Sequence, residues 1–186
     1  FFAVYILKLL FPNLIKIVTI AHSDTETNYD TLSFWEKYSD NIACTTKKMK
    51  YKLMQRGVKK EKLQYKEAAV DFDEHFHKIY SKGAAPVRIG YAARLEIADK
   101  RSDLLPELVK KLNGKNVNYI LEIAGNGSQF GNINKFVAEN NLGSKVILRG
   151  YIERNRMSEF WKHQDIFVNL SETEGSCLSM LEAMSY

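Results

Sequence analysis

From Val87 onward the chain repeats one pattern four times. A run rich in Val, Ile and Leu is followed by a stretch whose apolar positions return at the helical period. The runs are VRIGYAA (87–93), VNYILEIAG (117–125), KVILRG (145–150) and DIFVNLS (165–171). The helical stretches between and after them are SDLLPELVKKL (102–112), FGNINKFVAENN (130–141), NRMSEFWKH (155–163) and CLSMLEAM (177–184). Near-continuous apolar strands are buried on both faces, and strands alternating with helices pair in parallel. The expected architecture is therefore α/β, a mostly parallel sheet with helices on both faces. Such sheets bind ligands beyond the carboxyl ends of their strands, near a reversal of strand order.

The first 85 residues are less regular. IKIVTIAH (15–22) reads as a buried strand ending in the polar cluster His22–Ser23–Asp24. TLSFWEKYSD (31–40) reads as a short amphipathic helix and NIACTT (41–46) as a strand. Thr45 and Thr46 are candidate caps for a helix running to Arg56, with Gly57 as its left-handed stop. KLQYK (62–66) reads as a short strand, and residues 71–86 as a crossing loop with a helical turn. Pro86, preceded by Gly-Ala-Ala, marks the domain boundary, giving domains of 1–85 and 86–186. The opening FFAVYILKLLF fits a buried helix; it is too short to span a bilayer and lacks a signal-peptide pattern. The closing LEAMSY lies within a helix. Both ends read as those of a fold incomplete at each terminus.

Composition bounds the function. Hydrophobic residues make up 45% and charged residues 26% of the 186, a globular balance. Cys44 and Cys177 have no metal-ligand spacing and point to a reducing compartment. The four histidines form no zinc pattern, and His75 and His77 read as surface residues. The net charge is +5, compatible with anionic ligands or surfaces. The strongest basic run, residues 45–66, has no zinc module and no paired aromatic platform, so nucleic acid is not an expected partner. A solvated helix face or contact with anionic membrane remain its readings.

The chemistry gathers after the four later strands. The first is followed by Arg94, Lys100 and Arg101, the second by AGNGSQFG with Gly125, Gly127 and Gly131. RGYIERNR follows the third, and SETEGS with Glu174 follows the fourth. Arg94 and Lys100 share one strand-to-helix loop, where a diphosphate would take a fork from Arg and a point charge from Lys. Glu182 could accept from ribose hydroxyls and Glu174 from sugar hydroxyls; a helix-start charge is the plain alternative for either. The glycine turn only partly matches a dinucleotide fingerprint, follows the second strand, and is not followed by a ribose acid. Tight-turn glycines explain it equally.

The stretch from IGYAARLEIADKRSDLL through AGNGSQF and GYIERNRMSEFW to SETEGSCLSMLEAM resembles the second half of a retaining glycosyltransferase of the two-Rossmann-domain (GT-B) class, group 1 or family 4-like. The Arg-Leu…Lys element, the Gly-x-Gly turn and a Glu-x7-Glu pair (Glu174, Glu182) carry the resemblance over residues 86–186. It extends loosely back through TIAH and ACTTKKMKYKLMQRGV. The resemblance implies a Rossmann-like, GT-B-like fold: 1–85 as a remnant of the acceptor-side domain, 86–186 as the nucleotide-sugar-binding domain. It implies that Arg94 and Lys100 hold the donor diphosphate beside Gly125 and Gly127. Gly150, Tyr151 and Ile152 would flank the base, and Glu182 would contact the ribose. Glu174, with Gly175 and Ser176, would lie at the donor sugar, and His22 would face it from the first domain. Catalytic roles would fall to Glu174, His22, Arg94 and Lys100. It further implies a UDP- or GDP-sugar donor, no metal or other cofactor, a glycan or lipid-linked acceptor, and a cytoplasmic enzyme at the inner face of the membrane. Two departures stand out. Ala68–Ala69 replace an expected Asn-Gly before Val70–Asp71, and Arg101 replaces the Gly expected after Lys100. A non-catalytic nucleotide-sugar-binding or scaffold module and a dinucleotide-dependent oxidoreductase are the competing classes.

Overall fold

A computed structural model describes residues 2–71 and 73–186. The chain forms two compact units. One comprises residues 1–68 with 173–176, the other residues 69–172 with 177–186.

The first unit is built on three parallel strands in the order β1 (Val18–Ala21), β2 (Asn41–Cys44), β3 (Leu63–Tyr65). Their connections are α2 (Glu26–Phe34) and α3 (Lys47–Gln55). Helix α2 starts earlier than the sequence pattern predicts, because Thr25 caps it by accepting from the Asn28 amide. A 3-10 turn, Glu36–Tyr38, takes over beyond Phe34. Thr46 caps α3, accepting from the Met49 amide at 3.1 Å. Gly57, at φ +83°, ends α3: its amide bonds the Met54 carbonyl and the Val58 amide bonds Leu53. That pair of bonds is a Schellman cap. The core comprises Ala21, Tyr29, Leu32, Ile42, Cys44, Met49, Leu53, Val58 and Leu63.

Two expectations for this unit are corrected. β1 is buried on one face only: Thr19 and Ala21 point inward while Val18 and Ile20 are exposed, because α2 and α3 pack on the same face of the sheet. The opening segment does form a helix, α1 (Phe2–Leu10), but of its described side chains only Tyr5 is buried, stacked on Trp35 with centroids 4.5 Å apart. Val4, Ile6, Leu7, Leu9 and Leu10 stay exposed. Lys8 turns inward to Asp40 (3.0 Å) and the Ile15 carbonyl (2.6 Å).

The second unit holds four parallel strands in the order β6-β5-β4-β7: β4 (Val87–Ala92), β5 (Tyr119–Ala124), β6 (Val146–Gly150) and β7 (Ile166–Phe167). The helices between them are α4 (Leu105–Gly114), α5 (Phe130–Glu139) and α6 (Met157–Lys162), followed by α7 (Leu178–Met184). The main core joins β4, β5 and β6 to α4 and α5 through Ile89, Tyr91, Leu105, Val109, Leu121, Ile123, Ile133 and Val137. A second cluster, Ala124, Phe160 and Trp161, holds α6 to the sheet. Gly90 makes this possible, since a Cβ there would meet Trp161 and Gln164 side chains at 2.7–2.8 Å.

Helices α4 and α5 both end on a left-handed asparagine, Asn116 and Asn141, with the same pair of capping bonds as α3. The stop of α5 is thus Asn141. The run 165–171 gives a strand of two residues, and Ile166 is 48% exposed. It is an edge strand, not a buried one. Asp165, just before it, gathers three donors: the Ser81 amide (2.9 Å), the Ser81 hydroxyl (2.6 Å) and the Arg88 amide (2.8 Å). Burial would raise its pKa, but these bonds outweigh burial and lower it. Residues 71–86 contain a turn at Glu74–His75 and no helix among the described residues; Phe72 lies outside them. His75 and His77 are exposed.

Candidate active site

The carboxyl ends of β4, β5 and β6 open onto one cavity of about 360 Å³. Arg94 lines it from the loop after β4, Gly125 and Asn126 from the loop after β5. Tyr151, Ile152 and Arg154 line it from the loop after β6, Met157 from α6, and Ser179 and Glu182 from α7. The cavity therefore gathers Arg94, Gly125, Tyr151, Ile152 and Glu182, five of the residues singled out from sequence. Lys100 shares the loop of Arg94 but not the cavity wall. Gly127 and Gly150 stand behind the wall as backbone elements.

The loops after β4 and β5 are zipped together. The Ala93 amide bonds the Ala124 carbonyl, the Leu95 amide bonds Asn126, and the Gln129 amide returns to Leu95. The Ser128 hydroxyl and amide both donate to Glu96, at 2.6 and 3.0 Å, and these two bonds lower the Glu96 pKa. The approach is close enough to exclude side chains. A Cβ on Gly125 (φ +136°) would collide with the Ala93 carbonyl oxygen, and one on Gly127 (φ +156°) with that of Leu95. These glycines permit backbone contact between two loops, and that contact presents Arg94 and Asn126 side by side.

The loop after β4 is also braced from within. Leu95 is fully buried, and the Ser102 hydroxyl bonds the Arg94 carbonyl and meets the Tyr91 hydroxyl at 3.1 Å. The Arg94 guanidinium is exposed, with Asp99 at 2.7 Å as its partner. Asp99 is a residue that sequence reasoning missed, although it lies in the quoted loop. Arg101, which stands where the resemblance expects Gly, adopts φ +48°, the left-handed conformation that glycine accepts without strain. Its guanidinium holds Asp103 at 3.3 Å and Glu172 at 3.8 Å.

The other candidates belong to the first unit. The segment Thr173–Ser176 packs there: the Ser176 hydroxyl donates to the Thr45 carbonyl at 3.0 Å, and Gly175 lies so close on the His22 carbonyl that a Cβ would collide. The loop bearing Glu174 thus rests on His22. His22 is exposed, with Nδ1 3.3 Å from the Ile20 carbonyl. A carbonyl only accepts, so Nδ1 is the donor of that contact. Cys177 is the cap position of α7, and Glu182 is its fifth residue, little more than one turn in.

In the basic run, Lys48 and Lys52 hold Asp24 at 2.6 and 2.9 Å, and Arg56 pairs with Glu26. Three of its cations thus face acids of α2 or the loop before it. Among the described residues, no cluster of three His, Cys, Asp or Glu could hold a metal ion. None of their helices is long and apolar enough to cross a membrane.

Residues 72–186 match the family model of glycosyl transferases group 1. The chain belongs to this family. Solved structures resemble the chain as well. S. aureus TarM, a mutant in complex with Fondaparinux, alpha-GlcNAc-glycerol and UDP, superposes with a TM-score of 0.71 at 20% identity, over 91% of this chain and 35% of TarM. Anabaena HepE with UDP-glucose gives 0.71 at 12% identity, over 97% of this chain and 53% of HepE. The pneumococcal O-GlcNAc transferase GtfA, with UDP and GlcNAc, gives 0.68 at 14% identity, over 91% and 36%. At such identities the likeness establishes the fold: two Rossmann-like units of the GT-B kind. The chain spans between about a third and about half of these proteins. No curated protein sequence matches it.

Proposed function

We propose that the chain is part of a retaining, family 4-like glycosyltransferase that moves a sugar from a nucleotide-activated donor to an acceptor hydroxyl. Residues 86–186 are the nucleotide-sugar-binding domain and residues 1–85 come from the acceptor-side domain. The observation that carries this reading is the cavity at the strand ends, where a braced arginine, Arg94, and a helix carboxylate, Glu182, share a wall with Tyr151 and Ile152. An anion, a ribose and a flat base need such a set.

In the reaction, the bond between donor C1 and the diphosphate oxygen breaks and its electron pair leaves with the diphosphate. The acceptor hydroxyl oxygen bonds to C1 on the same face, and its proton passes to the leaving phosphate. Arg94 and Lys100 stabilise the charge that develops there. A cation already fixed in place needs little reorganisation at the moment of reaction, and the Asp99 pair and the zipped loops fix Arg94. Gly125 and Gly127 let this rim close up, and Gly150, Tyr151 and Ile152 flank the base. Glu182 accepts from the ribose. Glu174, on the loop with Gly175 and Ser176, positions the sugar, with His22 beside that loop. The donor is a UDP- or GDP-sugar, bound without a metal, and the acceptor is a glycan or a lipid-linked saccharide. Peripheral contact with anionic membrane at its cytoplasmic face would rest on Lys47, Lys59 and Lys60, which are exposed, since Lys48, Lys52 and Arg56 are paired.

Calorimetry with nucleoside diphosphates tests the reading. Arg94→Ala should weaken binding by about 1.5–3 kcal/mol, the range for a charged hydrogen bond. Glu182→Gln should cost about 1–2 kcal/mol, and Glu174→Gln almost nothing. Unchanged affinity in Arg94→Ala, or tighter binding of NAD than of any nucleoside diphosphate, would refute it.

A further inference from the structure

The cavity has two chemically distinct ends, and strand order fixes where they lie. β6 is at the edge of the sheet, β5 beside it and β4 beyond. Neighbouring strands are about 4.8 Å apart, so groups after β6 and groups after β4 stand roughly 10 Å apart along the rim. Arg94 occupies the β4 end and Asn126 the middle. At the β6 end are Tyr151, Ile152, Met157 and Arg154. The Tyr151 ring is 73% exposed, which leaves an aromatic face available for a flat ring to stack on. Ile152 and Met157 add apolar walls.

Arg154 is the odd member of this end. Arg56, Arg88, Arg94, Arg101 and Arg149 each hold a carboxylate. Among the described residues Arg154 and Arg156 form no ion pair, and of the two only Arg154 lines the rim cavity. It begins the 3-10 turn that leads into α6, and it lines both the rim cavity and the adjoining one of about 420 Å³. A guanidinium that shares a cavity wall with an exposed tyrosine, and is in no ion pair although Glu182 lines the same cavity, is available to read the edge of whatever stacks there.

A guanidinium offers donors only. A base edge turned toward it must present acceptors. Uracil does so with O4, and guanine with O6 and N7. Cytosine and adenine place an amino group, itself a donor, at the corresponding position. Resting on the donor-site reading above, we propose that Arg154 determines the donor base and selects keto bases, uracil or guanine, over amino bases.

Two matched pairs test this by calorimetry on the chain: UDP against CDP, and GDP against ADP. The keto member of at least one pair should bind about tenfold or more tightly, as a good arginine–base contact discriminates. Arg154→Gln substitutes an amide that can donate or accept, so that ratio should fall toward one. Arg154→Lys keeps the charge and loses the fork; it should retain part of the keto-base affinity while losing most of the discrimination. Equal binding of keto and amino members by the unaltered chain overturns the proposal, as does a ratio that survives Arg154→Gln. If no nucleoside diphosphate binds at all, the donor-site reading fails and Arg154 loses its role with it. If all four bind alike, the donor site stands and only the assignment of Arg154 falls.

Discussion

In β1, Val18 and Ile20 are 61% and 57% exposed, while in β5 Leu121 and Ile123 are 0% and 1% exposed. Both are parallel strands of a Rossmann-like unit. The first unit compensates for its one-sided strand with charge. Asp24 receives Lys48, Lys52 and the Tyr29 hydroxyl (2.6 Å), and Asp40 receives Lys8, Lys16 and the Ile17 amide. The second unit adds apolar burial and close backbone approach to ion pairs of its own, Glu122 with Arg88 and Arg149 among them. Coulombic stitching responds to pH and salt, whereas buried apolar area hardly does.

The two tryptophans, Trp35 in the first unit and Trp161 in the second, allow the comparison to be broken. Single-tryptophan variants report each unit in denaturant unfolding. The largest effect expected is from Gly125→Ala. The added methyl meets the Ala93 carbonyl at a φ that L-residues avoid, and should cost about 3 kcal/mol or more. Its midpoint shift should be seen by Trp161 and not by Trp35; equal shifts at both probes would show that the units do not unfold independently.

Acid should do the reverse. Bonds from the Ile17 amide and Lys8 hold Asp40 down to about 2. Burial would raise Asp24, but bonds from Lys48, Tyr29 and Lys52 outweigh it and hold its carboxyl well below the usual range. Folded-state values below the unfolded value of about 3.9 mean stabilisation that is complete above it and lost as pH falls toward 2. The Trp35 transition should lose about 2 kcal/mol between pH 5 and 2, and Asp40→Asn should flatten that slope. A steeper acid loss at Trp161 would reverse the comparison. The smallest expected effect is that of salt. Raising ionic strength from about 0.01 to 1 M shortens the screening length about tenfold and should weaken the first unit by about 0.5–1 kcal/mol. No change at Trp35 would mean that its ion pairs are too desolvated to be screened.

The four strand–helix repeats of the second unit were legible because long apolar runs and helical periodicity are local signals. So were Thr46 and Gly57, whose capping roles need only their neighbours. Exposure was not legible. Nothing within IKIVTIAH or DIFVNLS says that β1 and β7 would be edges, since strand order is a property of the whole sheet. The left-handed Asn116 and Asn141 went unnoticed because asparagine is a weaker marker than glycine. In the candidate site, Arg94 and Glu182 were visible as charges at strand and helix ends. Asp99, Asn126, Arg154 and Ser179 were not, since their part depends on which loops are zipped together. Gly125 and Gly127 were noticed for their spacing, but their contact partners, Ala93 and Leu95, lie in another loop.

The carboxylate of Asp165 bears on how the chain comes off the ribosome. It reaches back to Ser81 and Arg88, at the entrance of β4, and β7 then pairs with Ile89 and Gly90. Of the four strands described, β4 is made first and its partner β7 last. While β5 and β6 are being synthesised, one edge of β4 has no ladder partner and its entry segment no clamp. An unpaired edge invites pairing with other chains. Residues 90–165 are therefore made while β4 lacks this partner and this clamp.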